Sequence, residues 1–125
     1  MELDKYDLDY YAEHFGEYKE PNENYTEILK LNELLSKTEI PYTIDRHFDG
    51  WQIIYFYNGE RIADVIQHFG SYGSEENLLE IMGCLTPEEE EQDSVRGFLT
   101  AEEVFKRFSK DFLNRKFGTK KEGKT

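Results

Sequence analysis

Cysteine is almost absent from this chain of 125 residues: Cys84 stands alone, so no internal disulfide can form. No apolar run approaches the roughly 20 residues that a bilayer-spanning helix needs. The N-terminal stretch MELDKYDLDYY is acidic and lacks the apolar centre of a secretory signal, so none is expected there. These absences point to a reducing cytoplasm, the cell's own or a host's. Catalytic signatures are missing too. Gly70-Ser71-Tyr72-Gly73-Ser74 has loop glycines but neither the lysine nor the full glycine spacing of a phosphate loop. It reads as a flexible connection, with Tyr72 folded back over apolar surface. His14, His47 and His68 fall in separate elements. His47 and His68 could approach across a sheet with Cys84 as a third ligand, but the spacing follows no zinc pattern. Packed or surface histidines, and no cofactor or metal, are expected. Cys84 sits in the apolar run Met82-Gly83-Cys84-Leu85 and reads as a buried structural thiol, not a nucleophile. A non-enzyme is expected.

Positive charge is also scarce. The chain has 15 Lys and Arg against 27 Asp and Glu, for a net charge of −12. Residues 1–41 hold 11 acidic and 4 basic groups, and residues 42–83 hold 7 and 2. Residues 106–125 reverse the sign, with 8 basic and 2 acidic groups. The result is an acidic body with a basic end. Direct binding to DNA is disfavoured, because neutralising phosphates needs clustered Lys and Arg. A basic protein surface is the complementary partner.

Aromatic residues are plentiful: nine Tyr, nine Phe and Trp51 can build a core despite a mean hydropathy of −0.80. The length suits a single domain over 1–125. Its ends are an acidic, tyrosine-rich segment at 1–21 and a basic, flexible tail at 117–125. Tyr6, Tyr10, Tyr11, Phe15 and Tyr18 recur at helical spacing and suggest a short helix ending near Gly16. Residues 22–38 predict a helix, with Asn24 and Glu27 as a capping box and Ile28, Leu31, Leu34 and Leu35 as its stripe, widened by Leu29. Alternation after Pro41 predicts a strand with Tyr42, Ile44, Arg46 and Phe48 on one face. An Asp49-Gly50 turn should lead to a strand over Trp51–Tyr57, and an Asn58-Gly59 turn to a third over Glu60–Phe69. A slip in the third predicts a bulge near Ala63 or Asp64. Residues 78–83 are ambiguous between strand and helix, and a short strand is preferred. Pro87 can start a helical turn. Thr100 and Glu103 form a capping box for a helix over 101–116, with Val104, Phe105, Phe108, Phe112 and Leu113 on one face. The expected fold is α+β: a three- to four-stranded antiparallel sheet with helices packed on one face.

Two features could serve recognition. Glu88-Glu89-Glu90-Glu91, with Asp93 behind it, is either a solvated loop or an array that presents charge to a basic groove at a density like that of DNA. Glu75, Glu76 and Tyr72 extend that candidate partner-binding set. The aromatic cluster Trp51, Tyr55, Phe56 and Tyr57 is expected to pack against the helices, with one row left for solvent or a partner. Stacking on single-stranded nucleic acid is disfavoured by the surrounding negative charge.

The strings FDGWQI (48–53), VIQHFGSYGSEENLLEIMG (65–83), LTPEEEEQDSV (85–95) and GFLTAEEVFKRF (97–108) carry a resemblance. Through them, residues 47–113 resemble small acidic proteins of phages and mobile elements of Firmicutes. The resemblance implies a mobile-element context and transfers no functional residue. In that context, small acidic single-domain proteins often counter host defences, and inhibitors of type II CRISPR nucleases are similar in size and charge. The implied function is an anti-CRISPR-type inhibitor that occludes a basic nucleic-acid-handling protein, without contacting nucleic acid or membrane. The alternative is a non-catalytic adaptor of a mobile element that binds a protein through an aromatic sheet face.

Overall fold

The computed structural model of the chain describes residues 20–118. The N-terminal helix expected before Gly16 lies outside them, as does the tail from residue 119.

The described residues form helix α1 (Glu27–Ser36), strands β1 (Tyr42–His47), β2 (Gly50–Tyr57) and β3 (Glu60–Gln67), a single 3₁₀ turn (Ser74–Glu76), strand β4 (Leu79–Met82), helix α2 (Pro87–Gln92), strand β5 (Val95–Leu99) and helix α3 (Ala101–Phe117). The five strands make one antiparallel sheet in the order β1-β2-β3-β4-β5. Each strand lies beside its sequence neighbour: two-residue turns join β1 to β2 and β2 to β3, and longer connections lead to β4 and, through α2, to β5. The fold is α+β as expected, with one strand more. Val95–Leu99 was not anticipated as a strand, because Gly97 and a left-handed Phe98 (φ 61°) interrupt its alternation. The short strand preferred within residues 78–83 does form, as β4 over Leu79–Met82.

Cross-strand register sorts the side chains. Ile44, Ile53 and Val65 lie opposite one another in turn, followed by Ile81. Tyr55, Ala63, Leu79 and Leu99 share this inner face and are buried beneath α1 and α3. From α1 come Ile28, Leu31 and Leu35; from α3 come Ala101, Val104 and Phe108. The Tyr55 ring stacks on Phe108 at 5.1 Å, and its hydroxyl donates to Asp111 at 2.7 Å. That bond lets a tyrosine sit at the core with its polar end satisfied. Two residues expected on the helical stripes face outward: Leu29 is 43 % exposed and Leu113 50 %. Each lies at the margin of a stripe that three buried side chains already fill.

Two local expectations are corrected by tertiary contacts. Asn24 does not cap α1. Thr26 is the N-cap residue and makes no side-chain cap, while Asn77 Oδ1, from the loop before β4, accepts the Thr26 and Glu27 N–H groups at 3.0 and 3.2 Å. Gln67 Oε1, wholly buried, accepts the Ile28 N–H at 3.1 Å, and Gln67 Nε2 donates to Asn77 at 2.8 Å. The β1–β2 turn is Phe48-Asp49, one residue earlier than the Asp-Gly pattern suggests. Gly50 is already in β2, because a side chain there would collide with the Gln67 carbonyl. Phe48 therefore takes the left-handed φ of 56° and leaves the strand face it was expected to share with Ile44. The expected third-strand bulge forms, with Ile62 beside Ala63 as the extra residue where the pairing steps from Tyr55↔Ala63 to Phe56↔Arg61. The Asn58-Gly59 turn forms where expected, with φ of 52° and 79°.

Candidate interaction surface

Among the described residues, α1 and α3 pack on the inner sheet face and no helix covers the outer one. One cross-strand row on it runs Asp45, Gln52, Ile66, Glu80; the next runs Thr43, Ile54, Asp64, Met82, Val95. Apolar Ile54, Ile66, Met82 and Val95 thus share this face with the carboxylates of Asp45, Asp64 and Glu80. Arg61 pairs with Asp64, and Gln52 Nε2 also reaches that carboxylate, at 3.2 Å. Glu80 holds the Tyr72 N–H at 2.8 Å. Burial raises the Glu80 carboxyl above its usual range; Asp64 and Asp93 push the same way, against the hydrogen bond from Tyr72. Glu80 thus feels both Asp64 on the outer face and Asp93 at the C-terminal end of α2.

The predicted partner-binding residues gather around β4 and β5. Thr86 and Glu89 make a reciprocal capping box at the start of α2, with Pro87 at its first position. The sequence contains that signal, since Thr86 and Glu89 repeat the spacing of Thr100 and Glu103. Glu89 points inward: its two oxygens take both Arg107 guanidinium nitrogens at 2.8 Å, and Arg96 lies at 3.6 Å. The Arg107 bonds, with the bond from the Thr86 N–H, hold its carboxyl down at about 2. Its charge is therefore neutralised within the chain. Glu88, Glu90, Glu91 and Asp93 remain exposed around it.

Tyr72, Glu89 and Asp93 share an open groove of about 580 Å³ along β5, together with Gly97, Phe98 and Glu103. Glu75 and Glu76 are exposed at the opposite end of β4, where a smaller hollow of about 190 Å³ also contains Tyr72 and Phe98. A four-residue strand separates the two acidic ends, roughly 13 Å. Tyr72 does not fold back as a lid: it is 55 % exposed, as is Phe98. Its backbone instead lies over Gly97, where any side chain would strike it. Both aromatics are held from below, because the Phe98 N–H points at the Tyr72 carbonyl (3.4 Å). Phe98 was missed for the same reason as β5.

The other candidate chemistry disperses. His47 and His68 do meet, with ring centroids 4.9 Å apart, beside the bare Gly50 that ends the β1–β2 pairing. Phe48 and Phe69 enclose them. The His68 Nδ1 accepts the Gly70 N–H at 2.9 Å, so the ring is neutral. Cys84 is elsewhere, beside Arg107 and Asp111, and burial pushes its thiol up to about 12. Among the described residues no group of three or more His, Cys, Asp or Glu could hold a metal ion. None of their helices is long and apolar enough to cross a membrane. Trp51 and Tyr55 belong to the inner face and Tyr57 packs on Phe112 at 5.9 Å, which leaves Phe56 as the cluster's outward member.

Comparisons with protein-family models, with curated proteins and with solved structures find no match for this chain.

Proposed function

We propose that this protein acts without catalysis, as an inhibitor that seats the acidic β4–β5 side of its sheet against a basic, nucleic-acid-handling protein. The observation that carries this reading is the set of exposed carboxylates Glu88, Glu90, Glu91 and Asp93 along α2 and its C-terminal end, beside the groove that Tyr72 and Phe98 line. Such an array offers a basic groove the charge of a nucleic-acid backbone without base edges. Tyr72 and Phe98 supply apolar anchor area beside it, as binding surfaces commonly do. The first candidate target is a type II CRISPR nuclease, whose arginines read a short DNA motif and whose basic channel holds a heteroduplex. That choice rests on the mobile-element resemblance of residues 47–113.

The test is a pull-down from lysate of a Firmicute carrying such a system, eluted on a salt gradient and read by mass spectrometry. The reading expects the nuclease, or another DNA-binding protein, in a salt-sensitive fraction. A second reading, the adaptor, is favoured by Tyr72 and Phe98 themselves. It expects partners that resist salt and are lost on Tyr72→Ala or Phe98→Ala. Recovery of only such partners would replace the inhibitor reading with the adaptor.

A further inference from the structure

α1 and α3 lie side by side and run in the same direction. Lys30 pairs with Glu102 at 2.6 Å near their starts, and Lys116 with Glu39 at 2.8 Å near their ends. The described chain enters at the starting end. There the Asn22 N–H donates to the Asp49 carbonyl at 2.8 Å, and the Glu27 carboxylate in the first turn of α1 accepts the Ala101 N–H of α3 at 2.7 Å. Residues 1–19 are therefore tethered beside the first turns of both helices.

α3 turns a stripe of mixed chemistry outward. Lys106, Lys110, Leu113 and Phe117 are exposed, and their spacing of four, three and four residues puts them on one face, opposite the buried Val104 and Phe108. Leu113 is 50 % exposed and Phe117 69 %. Leu113 also lines an open hollow of about 620 Å³ with Ile40 and Phe112. Among the described residues, Lys106 and Lys110 have no ion-pair partner, whereas Arg107, Arg115 and Lys116 on the same helix each have one.

We propose that residues 1–19 dock on this face, running back along α3 as a further layer over its outward stripe. The segment is acidic where the stripe is basic: it holds Glu2, Asp4, Asp7, Asp9, Glu13 and Glu17 against Lys5 and Lys19. Followed backward from the tether, its charges come in an order complementary to that of α3. Lys19 comes first, level with Glu102 and Glu103 in the acidic first turn. Glu17, Glu13 and Asp9 follow, level with Lys106 and Lys110, and Leu8 and Leu3 then reach Leu113 and Phe117. The length fits as well. Helix up to Gly16, as the spacing of the aromatics predicts, spans about 24 Å, and the 17 residues of α3 span about 25 Å. Tyr11, Phe15 and Tyr18, at i, i+4 and i+7, supply the apolar face that such a layer lays down. The tether favours this occupant over any acidic partner in solution, because it holds the segment at an effective concentration on the order of millimolar.

The test is carbodiimide cross-linking of the full chain, which joins a lysine to a carboxylate only where the two touch. The 14.9 kDa monomer is isolated and its linked peptides are identified by mass spectrometry. Lys106 or Lys110 should be linked to carboxylates within residues 1–19, with a yield that does not change across a concentration series. Amide exchange over residues 1–19 should be slower than in an unstructured chain. The variant K106E/K110E should speed that exchange by about tenfold while leaving peptides of β2 and β3 unchanged, which shows that the fold is intact. Links from these lysines only within α3 or only between copies would overturn the proposal. So would exchange of residues 1–19 at the unstructured rate in the wild type, or at the same rate in the variant.

Discussion

Replacing Asn77 with glycine should destabilise the protein far more than replacing Asn24 with alanine, although Asn24 occupies the local capping position in the sequence. Asn77 Oδ1 accepts from the Thr26 and Glu27 amides and from Gln67 Nε2, while Asn77 Nδ2 donates to Thr26 Oγ1 at 2.7 Å. Loss of the helix cap costs about 1 kcal/mol. The Gln67 amide, left without its acceptor in a buried site, costs a further 1–3 kcal/mol or so. Glycine relieves the left-handed φ of 60° at this position, which returns about 1 kcal/mol. The net loss is about 2 kcal/mol, or roughly 10 °C in Tm for a domain of this size. Asn24→Ala should change stability by less than about 0.5 kcal/mol. Urea unfolding monitored by far-UV circular dichroism measures both. Equal losses, or a larger loss for Asn24→Ala, would mean that α1 is capped locally and that the Gln67–Asn77 bridge does not hold it to the sheet.

Three further outcomes follow from the same contacts. Burial, with His47 beside it, lowers the His68 pKa to about 4, below its unfolded value, so the native state binds fewer protons. Stability should therefore fall as pH drops below about 6.5 and stop falling near 4, by about 3 kcal/mol at most; His68→Gln should flatten that part of a pH–stability curve. Glu89→Gln removes the carboxylate that pairs with both Arg107 nitrogens and should cost about 1–3 kcal/mol in urea unfolding at pH 7. The difference between Glu89→Gln and wild type should shrink as the pH falls from about 4.5 to about 2, because over that range the unfolded carboxyl protonates while the native one stays ionised. Cys84 should resist a thiol reagent at pH 8 in the native state and react within minutes in denaturant; rapid native labelling would contradict its burial.

Where local pattern and tertiary structure agree, the elements are legible in the sequence. Asn58-Gly59 specifies its turn because nothing else competes for those φ values. The Thr100–Glu103 box starts α3 because both partners lie within one helical turn. The pattern fails where a distant group decides. The Asp49-Gly50 signal is overruled by the Gln67 carbonyl beside Gly50, and the Asn24 cap by Asn77, some fifty residues away. β5 is hidden because its pairing with β4 depends on a bulge at Phe98 that no alternation reveals. At the candidate surface, composition identifies the acidic run but not its internal division. Glu89 turns inward to Arg107, and only the fold brings Asp93 toward Glu80 and Asp64.

The central claim is that exposed carboxylates, and not the aromatics alone, hold a basic partner. The most direct measurement is the affinity for a purified type II CRISPR nuclease against salt concentration, for the wild type and for the variant E88Q/E90Q/E91Q/D93N, each with and without competing duplex DNA. The account predicts wild-type binding that weakens steeply with salt and yields to duplex DNA, and a variant that binds more weakly with a shallower salt dependence. Binding indifferent to salt, to duplex DNA and to the four substitutions, or no binding by either protein, would contradict it.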